Sequence, residues 1–453
     1  MFFGHEFIFN FRANMNRQDF YFVTRGYAMK YKKYGKTATV ILVLLITAFT
    51  VIGCNQNNMR SNPTTGEIIT SGAVQESPAI ATNELVISAS QTAEDTSETA
   101  HKVSVMFINV GRADATLIQI DGSSYLIDTG EKSSVPALFR ALALRGVKKL
   151  DAVFLTHTHS DHIGGMKALA QKYEVETLYS AEISEDKKDG ENKLENLAAE
   201  LALDHVKLNA GDIVNLVSDV FFEVLGPLEY NAEDDNNNSL VLRLKVNRKT
   251  FLFTGDMEFE EEQTLISAGT DLSADILKVG NHGNPDATSD QFAQAVSPEV
   301  AVISTDTAVD DDSANERVKA ALKGAKILVT QDYECGVLLT VDAEGTISVS
   351  DPQIEKSNVN IEILGIDKNS QTVTLKNNGN DTDITGYFIF SEKGSEVFVF
   401  PVGTIFKAGQ TLKIACTGGK GDFIWEDKKV WNTKKDDAGI LYDAYGNEVS
   451  RKH

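Results

Sequence analysis

Three histidines and an aspartate fall within six residues, His157-Thr158-His159-Ser160-Asp161-His162. Imidazole nitrogens and carboxylate oxygens are what Zn²⁺ and similar divalent ions take as ligands, and side chains packed this closely at a strand's end can converge on one point. The run follows an apolar, strand-like stretch, Asp151 to Thr156, and precedes Ile163-Gly164-Gly165. It reads as a metal site rather than as a polar loop with incidental histidines. Only three cysteines occur, Cys54, Cys335 and Cys416, too few for a disulfide scaffold or a thiolate zinc cluster. Any metal must be held through His and carboxylate.

Two later signals have the same form. Lys249 to Phe253 is strand-like and delivers Thr254-Gly255-Asp256, and Asp275 to Val279 delivers Gly280-Asn281-His282-Gly283. Taken singly, Asp256 could be a turn residue and His282 a loop histidine. Their joint occurrence after strands makes a shared site the better reading. His205, between Asp204 and Val206, reads as a surface histidine.

The elements that must position these groups begin at His101. Val103 to Val110, Ala115 to Ile120 and Ser124 to Asp128 alternate as strands, with Asp121-Gly122 as a turn, and form a β-meander. Val135 to Arg145 and Gly165 to Tyr173 have helical spacing, and Leu150 to Leu155 is the strand that carries the metal loop. Ser239 to Val246 is a further strand and Phe259 to Ser267 a helix. At 453 residues the chain should hold two or three domains. Its formal net charge is −22, and residues 54–354 carry 49 Asp and Glu against 23 Lys and Arg. Such a field repels polyanions at long range, which argues against an obligate DNA-binding protein unless a basic cleft or bound metal offsets it.

Lys30, Lys32, Lys33 and Lys36 precede an uncharged apolar stretch, Thr37 to Gly53, in the order of a secretory signal. Gly53 before Cys54 resembles a bacterial lipobox, which implies lipidation of Cys54 and an exported protein anchored on the outer face of the cytoplasmic membrane. Residues 1–53 are the expected signal segment, and because residues 1–28 fit no signal peptide its expected start is Met29. Residues 54–100, rich in Ser, Thr, Asn and Ala, read as a disordered linker.

From about His101 to Asp351 the residues resemble the metallo-β-lactamase superfamily, and more narrowly the C-terminal hydrolase domain of ComEC-type competence proteins. Phe107-Ile108-Asn109-Val110-Gly111 with Ala113-Asp114, Leu126-Ile127-Asp128-Thr129-Gly130, the HxHxDH run, Asn236 through Ser239-Leu240, Thr254-Gly255-Asp256 and His282-Gly283 carry the likeness. The resemblance implies an α/β fold, the four-layer αββα metallo-β-lactamase sandwich, over residues 101–352. It also implies one or two ions, Zn or Mn: His157 and His159 on one, Asp161, His162 and His282 on the other, Asp256 bridging. Asp161 and Asp256 would be the catalytic carboxylates, one orienting a metal-activated hydroxide, with Asp114 and Asp128 bracing the ligands. The third histidine usual for the first ion has no clear counterpart, and Asn236 or Ser239 would help fill that gap. Asn281 stands where the group has a second histidine, Asn284 where it has a serine, and Ser313-Ala314 where it has a His-Pro pair.

Residues 357–450 alternate in short strand-like runs, the pattern of a separate all-β, immunoglobulin-like sandwich. Leu375-Lys376-Asn377-Asn378-Gly379, Ile384-Thr385-Gly386-Tyr387 and Val430-Trp431-Asn432 resemble a lamin-tail domain, which implies binding of a polymer or protein rather than catalysis. Trp425 and Trp431 read as core; beside Lys428, Lys429, Lys434 and Lys435 they could instead form a stacking surface. The expected whole is a lipid-anchored, metal-dependent hydrolase of phosphodiesterase or nuclease type, acting on nucleic acid or a cell-surface polymer. The alternatives are hydrolysis of an amide or ester, or a binding protein with a structural metal.

Overall fold

The computed structural model describes residues 19–24, 27–32, 100–182, 193–353 and 357–453. Asp19–Thr24 and Tyr27–Lys32 pair as an antiparallel ribbon, with Met29 in its second strand. Cys54, the apolar stretch before it and the linker up to residue 99 lie outside the described residues. Among the described residues no helix is long and apolar enough to cross a membrane.

Residues 100–353 build four layers, and the period of two in their strands dictates how. Along Val103–Ile108, the side chains of Val103, Val105 and Phe107 face one way and those of Met106 and Ile108 the other. The first set meets Phe222, Leu242, Leu244 and Phe251 of a second sheet in the core between the sheets. The opposite face lies under the helices Val135–Leu144, Met166–Lys172 and Lys193–Glu200. The second sheet turns Leu252, Leu277 and Ile303 outward against Phe259–Ser267, Asp290–Val296 and Glu316–Ala321. Helix, sheet, sheet, helix is the expected αββα order.

One sheet has eight strands and the other seven. Ser123–Ile127, Ala152–Leu155 and Leu178–Ala181 run parallel in the first, as do Lys249–Phe253, Ile276–Lys278 and Val300–Ile303 in the second. Parallel neighbours end on one edge of a sheet, and the loops leaving those ends are the ones that carry Asp128, the histidine run, Asp256 and His282. The helix expected from Gly165 to Tyr173 is present as Met166–Lys172, and a further short helix, Ser160–Ile163, precedes it within the histidine run. The break lies at Gly164-Gly165, where a Cβ on Gly165 would run into the Thr129 carbonyl oxygen.

The C-terminal region is all β, with its own core of residues such as Ile363, Leu375, Ile389, Phe400 and Leu412. Trp425 and Trp431 belong to that core, their rings 5.7 Å apart, so no stacking surface is built from them. Separateness holds only in part. The sheet of Phe388–Ser391, Val397–Val399, Gly439–Tyr442 and Glu448–Lys452 turns Ile389 and Leu441 into the β core. Its other face sends Phe388, Phe390, Ile440 and Tyr442 into the core beneath the helices of the first domain.

Lys172 locks this junction. Its Nζ donates to the carbonyls of Gly386 at 2.8 Å and Ala444 at 3.3 Å, and sits 4.8 Å from the centre of the Phe388 ring. Burial brings its pKa down to about 8. Lys172→Met keeps the apolar stem and removes both bonds. It is expected to cost about 2 kcal/mol, read as a lower denaturation midpoint with unchanged metal content.

Candidate metal centre

The strand Ala152–Leu155 ends at Thr156, and the chain then turns through His157 and His159 into the four-residue helix Ser160–Ile163. The backbone N–H and the Oγ1 of Thr129 both donate to the His162 carbonyl, at 2.7 and 2.9 Å, and pin that helix to the first sheet. From the second sheet, Gly255 makes the turn that presents Asp256. Its φ is +51°, and a Cβ there would stand 2.9 Å from Ser239 Oγ and from Thr156 Cβ, so only glycine fits. His282 sits in a turn where it and Asn281 both have left-handed backbone, with φ of 53° and 41°. Non-glycine residues adopt that conformation at a cost that surrounding structure must offset, and such strain gathers at functional sites.

These loops bring their side chains to one point. One ligand atom each from Asp114, His162, Asp256 and His282 lies within 4.8 Å of the others, and all four residues are buried. His162 Nε2 is 2.9 Å from Asp256 Oδ2, and His282 Nε2 is 3.2 Å from the same oxygen. His157 Nε2 stands 3.9 Å from Asp256 Oδ2, and Asp161 Oδ2 stands 3.4 Å from His282 Nε2. His159 is half-buried, its ring centre 4.6 Å from that of His157, and it lines the cavity over the site with Asp161 and Asp256. Of the six ligands expected from the sequence, His162, Asp256 and His282 are in the tight group, His157 and Asp161 stand within 3.9 and 3.4 Å of a member of it, and His159 is the most peripheral. Asp114, expected only to brace, is within the tight group.

The supporting contacts fix the ring orientations. His162 Nδ1 is 2.8 Å from Asp128 Oδ2, and Asp128 also accepts from the N–H and Oγ1 of Thr156, each at 2.8 Å. His282 Nδ1 donates to the Ser304 carbonyl at 2.9 Å, which turns its Nε2 toward the carboxylates. A histidine whose Nδ1–H is engaged this way has its Nε2 lone pair free for a cation. Ser239 Oγ accepts from the Asp256 N–H at 3.0 Å and lies 3.4 Å from His157 Nδ1. Asn236 turns its amide to Glu258 Oε1 at 2.6 Å. Neither of them joins the tight cluster; Ser239 holds Asp256, which does, and Asn236 holds Glu258, which does not.

The electrostatics follow from burial and pairing. Burial drives the pKa of His157 well down. For His162 burial works against the charged form, but Asp256 and Asp128 outweigh it and hold the pKa well above the usual value. Burial likewise opposes charge on His282, and Asp256 carries its pKa up to about 10. Asp161 is held below the usual carboxylate range, burial being outweighed by its contacts to His282 and His162.

A cation fits this donor set. His157 Nε2, His282 Nε2, Asp256 Oδ1 and Asp114 Oδ1 are all buried and have no hydrogen-bond partner. Leaving a buried polar atom unpaired is costly, and four in one cluster mark a place where an ion completes the pairing. Nitrogen and carboxylate oxygen together are the ligand set of Zn and related divalent ions.

Lys278 is a site residue that sequence reasoning missed. It ends the strand Ile276–Lys278 and is buried, with Nζ donating to Asp114 Oδ2 and, at 2.8 Å, to the Gly255 carbonyl, 3.7 Å from Asp256 Oδ1. A lone lysine in an apolar strand was the available signal, since such a residue is buried only when paired. Arg112, which lies between two motif segments, lines the mouth of the cavity and bonds Asp310 through Nε at 3.0 Å.

The metallo-beta-lactamase superfamily profile matches residues 108–307. ComE operon protein 3 of Bacillus subtilis is 34% identical over 177 residues, 39% of this chain and 22% of that protein. Competence protein ComA of Neisseria gonorrhoeae is 29% identical over 234 residues, 51% of this chain and 31% of that protein. A shorter match, to Ribonuclease Z of Treponema pallidum, is 42% identical over 55 residues, 12% of this chain and 17% of that protein. The chain spans less than a third of either competence protein. Residues 108–307, with the His and Asp cluster they assemble, are therefore a metallo-beta-lactamase superfamily domain whose homologues include competence proteins.

Proposed function

We propose that this protein is a metal-dependent hydrolase of phosphodiesters, exported and held at the membrane by lipid on Cys54. The observation that carries the reading is the set of partnerless buried atoms on His157, His282, Asp256 and Asp114, reached through Asp256 from a cavity of about 240 Å³. His157, His162, His282, Asp256 and Asp114 would hold the ion, with His159 and Asp161 at its open side. A divalent ion bound there supplies Lewis acidity and makes water a nucleophile at neutral pH.

The chain's own groups do the rest. Asp161, half-buried at the cavity wall and ionised, accepts a hydrogen bond from the attacking water and orients it; a carboxylate held this acidic is a positioner rather than a strong base. Arg112 at the mouth offers a planar, permanently charged fork, the group suited to phosphate oxygens. Without a cation the lining carboxylates Glu131, Asp161 and Asp256 would repel an anionic ester, so substrate binding and metal binding go together. The ribonuclease name of one relative agrees with a phosphodiester substrate.

Purified protein is expected to contain Zn or Mn and to cleave bis(p-nitrophenyl) phosphate, and Asp161→Ala is expected to reduce kcat by about 10² or more. Bound metal with no turnover of phosphodiesters, esters or lactams would overturn the proposal in favour of a binding protein.

A further inference from the structure

The cavity over the metal centre does not end there. Glu131, His159 and Ser160 are shared with an adjoining groove of about 690 Å³, which runs along the two short helices past Lys132, Ile163 and Lys167. Lys132, Gly164, Lys167 and Glu200 are shared in turn with a third cavity, of about 320 Å³. The far wall of that cavity is Gly394, Ser395, Glu396, Val397 and Asp427, all from the C-terminal β region.

Two observations make the far end part of a site. The wall is fixed: the turn that bears it follows Phe388–Ser391, the strand buried on both faces, and the Phe388 ring packs edge-on to Phe139 at 5.1 Å. Glu396 also has a carboxylate oxygen, Oε2, that is buried without any hydrogen-bond partner. Lys132 and Lys167 are exposed beside the trough, although Lys167 is also paired with Glu200 at 2.7 Å. From the metal outward the charged lining runs Glu131, then Lys132 and Lys167 with Glu200, then Glu396 and Asp427.

We infer that the trough is an extended substrate site shared by both domains, which takes a phosphodiester-linked polyol chain. One phosphate lies at the metal centre, a neighbouring phosphate at Lys132 and Lys167, and a hydroxyl donates to Glu396. This rests on the phosphodiesterase reading for the reacting bond, but binding of the flanking chain is measured separately from turnover. It gives the β region a role in recognition by position, through its Gly394–Val397 turn.

The test is fluorescence anisotropy of a dye-labelled tri(glycerol phosphate) on the metal-loaded full chain. Wild type is expected to bind it, Lys167→Glu and Ser395→Trp each to weaken binding at least tenfold, and Glu396→Gln to weaken it several-fold. Lys420→Glu, on an exposed loop away from the trough, is expected to leave it unchanged. Thermal melts of each variant identify any that fail to fold, and Glu396→Gln, an isosteric change, keeps the test open if Ser395→Trp does not fold. Unchanged binding in Lys167→Glu and Glu396→Gln overturns the inference, as does tighter binding of a single-stranded oligonucleotide of equal charge that ignores Glu396→Gln. Failure to cleave bis(p-nitrophenyl) phosphate would instead strike the proposed reaction and leave the binding result to stand by itself.

Discussion

Asp256→Ala is expected to lose metal at least about 100-fold in affinity, a bound set by what removal of a mere supporting partner does, and about 10³ in rate. The reason is geometric. Asp256 Oδ2 lies 2.9, 3.2 and 3.9 Å from His162, His282 and His157, one atom within reach of all three imidazoles. The same change has a readout that needs no metal. Burial opposes charge on His282, and Asp256 outweighs that to place its pKa at about 10. Without Asp256 the burial effect is left with less opposition, and imidazole resonances in an NMR titration of the metal-free protein should move to a markedly lower midpoint. Inductively coupled plasma mass spectrometry for metal content completes the comparison. Full metal retention in Asp256→Ala would mean that the ion is held elsewhere.

Lys278→Met should have the second largest effect, and on stability first. Lys278 and Asp114 are each only 4% exposed in their side chains, and the lysine donates a hydrogen bond to Asp114's carboxylate. Breaking a buried pair from one side leaves an uncompensated charge and typically costs about 3–5 kcal/mol. The methionine keeps the volume, so the loss measures charge rather than packing. A double change, Asp114→Asn with Lys278→Met, is expected to recover part of that cost in urea denaturation, since neither charge is then left alone. If the single and double variants were equally unstable, the ammonium would be acting on Asp256 and the Gly255 carbonyl instead, with Asp114 a bystander.

How much of this was legible in the chain depends on the range of the interaction. The meander, the helix at Val135–Leu144 and the strand before the histidine run have local periodicity, and they appear within a residue or two of their expected bounds. Val220–Gly226 and Val300–Ile303 are not legible in the same way: the first alternates plainly only once its partner strands are known, and the second is buried on both faces and so shows no alternation. The hexapeptide, Asp256 and His282 were legible because a metal ligand set constrains residue type as well as spacing. Lys278 was not, because what makes a lysine tolerable in a buried strand is an aspartate 164 positions away. The same limit applies to His101. It is buried between Asp121, at 2.6 Å, and Asp219, at 3.1 Å, and ties the first residues of the domain to both sheets.

The strand Phe388–Ser391 is buried along its whole length, apolar toward its own sandwich and apolar toward the helices beside it. A module built this way has no wet side to show when it is lifted out. It cannot be traded between proteins as a self-sufficient cassette, and any host that received it would need to offer a matching greasy bed where Phe139 and Tyr173 now lie. Inheritance of the two halves as a pair is then a demand of solubility before it is one of function.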